Sequence, residues 1–187
     1  MSDVSEISER ELALLCEKGD SDAIRELYSR YAARLRTLCS RYSGGSVEGM
    51  DLMHDTLVKA LRKIGQFHYV GKGSLYAWLS RIAVNLAIDR MRKEGRLEPL
   101  SLHENLPDIE EPSPEDLRSV PLEELQRMIS VLPDAKRVVF NMFCMDGYSH
   151  KEIAVSLGIS EKTSSSTLAK AKKDLISMIN EYLERNK

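Results

Sequence analysis

Apolar residues recur at steps of three and four along most of the chain, the period of helices that bury one face. Ser8 through Glu11 reads S-x-x-E, a capping box, and opens a first helix that Gly19 stops. Asp20 caps a second helix with the stripe Ile24, Tyr28, Tyr31, Leu35, Leu38 and Tyr42, ended by Gly44-Gly45. A third carries Leu52, Leu57, Ala60, Leu61 and Ile64. A loop with Gly65, Gly71 and Gly73 follows. Ser74 then caps a fourth helix, with Leu75, Trp78, Leu79, Ile82 and Leu86 on one face and Gly95 at its close.

Between residues 97 and 121 the pattern lapses. Pro99, Pro107, Pro112, Pro114 and Pro121 fall among acids, which forbids a continuous helix and leaves little to bury. An extended, solvated linker is expected there. Helical period returns at Leu122, with Leu125, Met128 and Ile129, and breaks at Leu132-Pro133. Pro133 suits the first turn of a helix bearing Val138, Val139, Met142 and Phe143, stopped by Gly147. Ser149 through Glu152 is another capping box, opening a short helix with Ile153, Ala154 and Leu157. Gly158 turns the chain, and Ser160 caps a last helix running almost to Lys187. No strand alternation and no internal repeat is present. The predicted fold is all-α: two small helical domains, 1–96 and 122–187, joined by a flexible acidic linker, 97–121, with a C-terminal helix-turn-helix.

The 42% hydrophobic content suits a soluble globular protein. No apolar run approaches the roughly 20 residues of a membrane helix, and the acidic start lacks the plan of a secretory signal. A cytoplasmic protein with no membrane insertion is expected. Cys16, Cys39 and Cys144 are odd in number and far apart, each beside an apolar neighbour, so they read as small buried hydrophobes rather than zinc ligands or disulfides. His54, His68, His103 and His150 are equally scattered, and no metal or other cofactor is expected.

The net charge of −2 hides a strong asymmetry. Residues 59–96 hold nine bases against two acids, and residues 97–126 hold nine acids against one base. The basic segment is the part suited to nucleic acid. Within and just before it lie two patterns with chemistry. Asp51, His54 and Asp55 share an exposed stripe of the third helix, with Leu52 and Ala60 turned inward. Farther on, Phe67, Tyr69 and Tyr76 surround a glycine-rich loop ahead of a helix that ends in bases. Aromatics hold unstacked bases while cations hold phosphates, so this arrangement suits single-stranded nucleic acid.

Tyr148 to Leu168, YSHKEIAVSLGISEKTSSSTL, reads as a helix-turn-helix. Ala154 is small where two helices cross, Gly158 supplies the left-handed turn, and Ile159 fills the corner. Ser160 and Thr163 begin a helix whose first turns would enter a DNA major groove. Hydroxyls dominate that start, with Lys170, Lys172 and Lys173 following. Few charges there means few counterions released, so weak DNA affinity is expected of this domain alone.

The chain resembles the extracytoplasmic-function group of bacterial sigma factors across residues 8–96 and 122–180. The resemblance is carried by Gly19-Asp20 with Tyr28 and Tyr31, by Asp51-Leu52 with Asp55, and by Trp78-Leu79. Arg81-Ile82-Ala83, Asn85, Asp89-Arg90, Arg92, Leu132-Pro133 and the helix-turn-helix follow in order. It implies a subunit that joins RNA polymerase core and directs it to promoter DNA. Asp51, His54, Asp55 and Leu61 would dock the polymerase. Phe67, Tyr69 and Lys72 of the loop, with Asn85, Asp89, Arg90, Arg92 and Lys93 of the next helix, would open the −10 element and capture a flipped base. Ser160, Lys162, Thr163, Ser165, Ser166, Thr167 and Lys170 would contact the −35 element. The acidic linker would thread the catalytic cleft and RNA exit path, and an anti-sigma regulator that masks these surfaces is implied as a partner. Two departures stand out: His54 replaces a common glutamine, and bases are absent at Ser165 and Thr167.

No catalytic constellation is present: Ser149 reads as a cap, and the paired acids Glu110-Glu111 and Glu123-Glu124 border the linker rather than a pocket. A non-enzymatic protein is expected. Two other readings stay open: a polymerase-docking antagonist with weak DNA reading, and a stand-alone helix-turn-helix regulator.

Overall fold

The computed structural model describes residues 7–97 and 111–186, and among these there is helix, turn and loop but no strand. The chain divides into two compact units, one up to Asp89 and one from Arg90 onward. No helix among the described residues is long and apolar enough to cross a membrane.

The first unit is built on α1 (Glu9–Glu17), α2 (Ser21–Ser43), α3 (Ser46–Lys63), a 3₁₀ turn at Ile64–Gln66, and α4 (Ser74–Lys93), whose last turn passes the unit boundary. Two starts follow the sequence. Ser8 accepts from the Glu11 amide at 3.2 Å. Asp20 accepts from the amides of Asp22 and Ala23 at 3.0 and 2.8 Å, satisfying donors that a helix cannot pair internally. Helices α2 and α3 pack so closely at Gly49 that a Cβ there would lie 2.4 Å from Ser40 Oγ and 2.7 Å from Ser40 Cα. Only glycine fits.

The core of this unit takes Leu27, Leu35 and Tyr42 from α2, Leu52 and Ala60 from α3, and Leu75, Leu79 and Val84 from α4. The α2 register differs from the sequence expectation at its start. Ala23 and Leu27 are buried, while Ile24 is half-buried and Tyr28 exposed. Small and aliphatic side chains fill the tight helix contact, and the Tyr28 ring instead stacks at the surface with His54, centroids 6.5 Å apart. Trp78, Ile82 and Leu86 are likewise half-buried at the edge of the core.

The expected cap of α4 is also corrected. Ser74 Oγ is buried with no hydrogen-bond partner. The open amides at that end are taken by the Glu9 carboxylate, which accepts from Gly73 N at 3.1 Å and from Leu75 N at 3.1 Å. A long-range side chain thus replaces the local cap.

The second unit contains α5 (Pro114–Ser119), α6 (Leu122–Ser130), α7 (Asp134–Phe140) continued by a π-helical segment (Asn141–Met145), α8 (His150–Leu157) and α9 (Glu161–Arg185). Its core joins Val120, Met128, Leu132, Ala171, Leu175 and Ile179. Arg137 is buried between α6 and α7, donates to the carbonyls of Ser130 and Leu132 at 3.1 and 2.9 Å, and pairs with Asp134. It satisfies carbonyls left open where α6 ends.

Three expectations change here. The linker is not extended throughout: Ser113 and Asp116 form a capping box for α5, and Val120 is buried in the core. Pro114 sits at the first helical position, where its missing N–H costs nothing. Residues 98–110, with most of the linker's acids, lie outside the described residues. Phe143 is not core; it is exposed on the π-helical segment, whose altered register turns it onto the His150 ring at 4.5 Å. Cys16 and Cys39 are buried as expected, whereas Cys144 is exposed on the same segment. Burial, followed by the nearby Asp20 charge, pushes the Cys16 thiol up to about 11, which keeps it protonated and inert.

Candidate docking and nucleic-acid interfaces

Helix α3 presents one continuous outward stripe. Leu52, Met53, Thr56, Leu57 and Ala60 face the core, so Asp51, His54 and Asp55 are left exposed and Leu61 half-buried. Thr56 is buried without strain on its hydroxyl, which donates to Leu52 O at 2.7 Å. The same stripe carries exposed apolar side chains that polarity-based reading passed over: Val47 is 71%, Met50 42% and Val58 49% exposed. Steps of three and four align Val47, Met50, His54, Val58 and Leu61, with Asp51 and Asp55 along one edge. Apolar groups rimmed by charge are the composition of a protein-docking face. The signal was available as apolar residues out of phase with the buried set.

The loop from residue 67 to 73 follows the 3₁₀ turn. Phe67 is half-buried against Trp78, ring centroids 5.7 Å apart, so it anchors the loop from below. Tyr69 and Lys72 are exposed. A cleft of about 440 Å³ opens beside the loop, lined by Arg10, Leu14, Glu17, Phe67, His68 and Tyr69 among others. Its walls mix aromatic faces, an aliphatic side chain and charged groups of both signs, a lining that can hold a flat heterocycle with polar edges.

Beyond the loop, α4 displays Asn85, Asp89, Arg92 and Lys93 as exposed residues and Arg90 as half-buried. Arg81 is exposed on the same stripe, four residues before Asn85. Tyr76 is backed by Tyr31, with ring centroids 6.4 Å apart, and the Arg34 guanidinium lies 3.8 Å from its centroid. Arg34 places an exposed cation over the first turn of α4 from a different helix, which periodicity along α4 could not reveal. The Tyr31 hydroxyl donates to Glu9 Oε1 at 3.1 Å. Burial first, and then the neighbouring Glu9 charge, pushes its phenol up to about 12, against the opposing pull of Arg30 and Arg34.

In the second unit the helix-turn-helix is formed by α8 and α9. Ser149 accepts from the Glu152 amide at 3.3 Å while Glu152 accepts from the Ser149 amide at 2.9 Å, completing the capping box. Gly158 adopts φ 71°, ψ 35°, the left-handed turn that lets α9 cross α8. Ser160 accepts from the Thr163 amide at 2.9 Å and starts α9. His150 Nδ1 meets the buried Ser164 hydroxyl at 2.9 Å, tying the two helices together.

This packing divides the hydroxyl-rich start of α9. Ser160, Lys162 and Ser165 are exposed, and Thr163 and Ser166 half-buried. Thr167 and Lys170 are not on the outward face: they are 2% and 6% exposed. Thr167 donates to Thr163 O at 2.8 Å, a bond within its own helix. The sequence run of hydroxyls concealed a helical face: Ser164, Thr167, Leu168 and Ala171 turn inward together. Outward lie Lys162, Ser165, Ala169 and Lys172, so Lys172 joins the candidate contacts that Thr167 and Lys170 leave. No cluster of metal-ligating side chains occurs among the described residues.

Two family models match these units: Sigma-70 region 2 over residues 27–97, and Sigma-70, region 4 over residues 122–175. The ECF RNA polymerase sigma factor SigM of Mycobacterium tuberculosis strain H37Rv is 30% identical over 177 residues, covering 93% of this chain and 86% of that protein. The ECF RNA polymerase sigma factor SigE of Mycolicibacterium smegmatis is 29% identical over 154 residues, 80% of this chain and 59% of that protein. Among solved structures, the sigma factor RpoE of Bartonella quintana, in complex with the anti-sigma factor NepR, aligns with a TM-score of 0.55 at 22% identity. That alignment covers 83% of this chain and 96% of that one, and shows a shared fold. The two sigma-70 regions in order, with near full-length likeness to SigM, establish that this chain belongs to the ECF sigma factors of RNA polymerase, the proteins that direct promoter-specific transcription initiation.

Proposed function

We propose that the chain divides its work among three segments. Residues 1–96 dock polymerase core and open the −10 element, residues 97–121 form an acidic connection, and residues 122–187 read the −35 element. Docking falls to the α3 stripe of Asp51, His54, Asp55 and Leu61, joined by Val47, Met50 and Val58. The apolar members supply burial and the two acids supply orientation toward a basic partner.

The −10 element is opened by capture rather than chemistry. A base leaving the stack costs a few kcal/mol, and an aromatic contact returns about 1–3 kcal/mol. The cleft lined by Phe67, His68 and Tyr69 offers that contact. Lys72, Arg90, Arg92 and Lys93 neutralise the strand's phosphates, while Asn85 and Asp89 offer hydrogen-bonding edges to unpaired bases. At the −35 element, Ser160, Lys162, Thr163, Ser165 and Ser166 face duplex DNA. With Lys162 the one base at that start and the exposed acid Glu161 beside it, this contact positions more than it binds. The acids of residues 97–121 stand where nascent RNA phosphates pass. The protein contributes binding surfaces in the cytoplasm and leaves catalysis to the polymerase. An anti-sigma regulator, a partner class named for RpoE of Bartonella quintana, holds it inactive by covering these faces.

The observation that carries this reading is the aromatic-lined cleft set ahead of the basic end of α4. Its test is an abasic scan of a single-stranded −10 oligonucleotide bound to reconstituted holoenzyme. One position should account for the largest loss, about tenfold or more, and Tyr69→Ala should erase that position's advantage. A flat scan contradicts base capture.

A further inference from the structure

We propose that Glu9 is a positioning residue for promoter opening, holding the loop that captures the base in its working shape. This inference rests on the capture reading above. The loop ends in Gly71-Lys72-Gly73, and its two glycines contribute no side chain to fix the turn. Ser74, where a local cap would be expected, has no partner for its hydroxyl. A backbone bond from Ser74 N to Gly71 O at 3.1 Å closes the turn, and one carboxylate from α1 fastens it to the rest of the unit. Glu9 Oε1 accepts from Gly73 N and from the Tyr31 hydroxyl, each at 3.1 Å, and Oε2 accepts from Gly73 N and Leu75 N, each at 3.1 Å.

Glu9 therefore connects three parts at one point: the end of the loop, the first turn of α4, and Tyr31, which backs Tyr76. Its own position is fixed from both sides. Ser8 caps α1, and Arg30 donates to Ile7 O at 2.8 Å, fastening the start of α1 to α2. Hydrogen bonds to a charged acceptor are the strong ones; those from Leu75 N and the Tyr31 hydroxyl are part-buried, while those from Gly73 N are exposed. The cleft occupied by the captured base lies between α1 and the loop, with Arg10, directly beside Glu9, in its wall. Losing the carboxylate frees the loop end and widens the set of loop conformations. The binding-competent share then falls, and apparent capture weakens in proportion.

The test uses the full chain with core polymerase. Glu9→Ala and Glu9→Gln are compared with the parent and with Tyr69→Ala in three measurements: affinity for core, rate of opening on duplex promoter, and rate on a promoter already mismatched at the −10 element. Glu9→Ala should slow opening about tenfold on duplex and less than threefold on the mismatched template, with core affinity unchanged within twofold. Glu9→Gln, which keeps the shape and one acceptor oxygen, should recover part of the rate. Amide exchange at Gly73 and Leu75 should rise about tenfold in Glu9→Ala with the melting temperature of the remainder retained. Because Glu9 acts through the loop, adding Glu9→Ala to Tyr69→Ala should slow opening by less than twofold further. Unchanged opening or exchange in Glu9→Ala, equal losses of core affinity and opening, or full additivity overturns the inference. If Tyr69→Ala itself opens promoter at the parent rate, the capture reading fails and takes this inference with it.

Discussion

The loop at residues 67–73 and the helix-turn-helix reach ordered shapes by different routes. In the helix-turn-helix the caps and the turn are local: Ser149 with Glu152, Ser160 with Thr163, and a left-handed Gly158 between them, and His150 meets Ser164 only 14 residues away. In the loop the decisive contact comes from Glu9, 64 residues before Gly73. The chemistry is reversed as well. The loop and α4 expose an aromatic, an amide and several cations, whereas α9 begins with hydroxyls and a single exposed lysine. A locally written element can be recognised from its own residues, yet here it exposes fewer cations and no aromatic at the start of its second helix. The element with the richer set of exposed aromatic and cationic groups depends on parts written elsewhere.

Charge reversal on the docking stripe should have the largest effect on function. Asp51→Arg leaves the core untouched, because Asp51 is exposed, and should weaken core binding about a hundredfold with the melting temperature unchanged. Titration of labelled core polymerase measures it; unchanged affinity removes the stripe from the account. Next comes Tyr69→Ala, expected to slow promoter opening about tenfold while core binding holds. Equal losses in both steps would erase the distinction between docking face and loop.

The recognition helix offers a smaller and sharper pair. Lys162→Ala should lower the salt dependence of duplex binding by about one unit of slope. Thr167→Val should leave DNA binding within twofold, since that hydroxyl is buried and bonded to Thr163 O. A promoter-specific defect in Thr167→Val would restore Thr167 to the reading face. The smallest effect concerns pH. Folded Tyr31 keeps its proton to about 12, while an unfolded tyrosine loses it near 10. The linked stability is fully present below pH 10 and is lost as pH rises toward 12. Tyr31→Phe should flatten the melting temperature across that interval.

Eight of the nine α-helices among the described residues, the helix-turn-helix pair included, were legible because apolar period, prolines and short-range caps act within a few residues. Leu52 and Ala60 turned inward as their spacing demands, exposing Asp51, His54 and Asp55. What stayed hidden required a partner across the fold. The register at the start of α2 is set by Ala23 and Leu27 packing inward, and the cap of α4 depends on Glu9. Thr167 and Lys170 looked like contact residues because a run of polar side chains masks which of them a packed helix turns inward. The short helix at Pro114–Ser119 was readable in principle: a serine cap, a proline at the first position and an acid at the third. Counting prolines as breakers obscured it.

Mapping RNA 5′ ends made by purified core polymerase on genomic DNA of the source organism, with and without this chain, tests the central claim most directly. New starts that share two upstream elements, lost with Asp51→Arg, are the predicted result. Tight core binding with no new starts would contradict promoter direction and favour an antagonist, and no core binding at all would reduce the chain to a helix-turn-helix regulator.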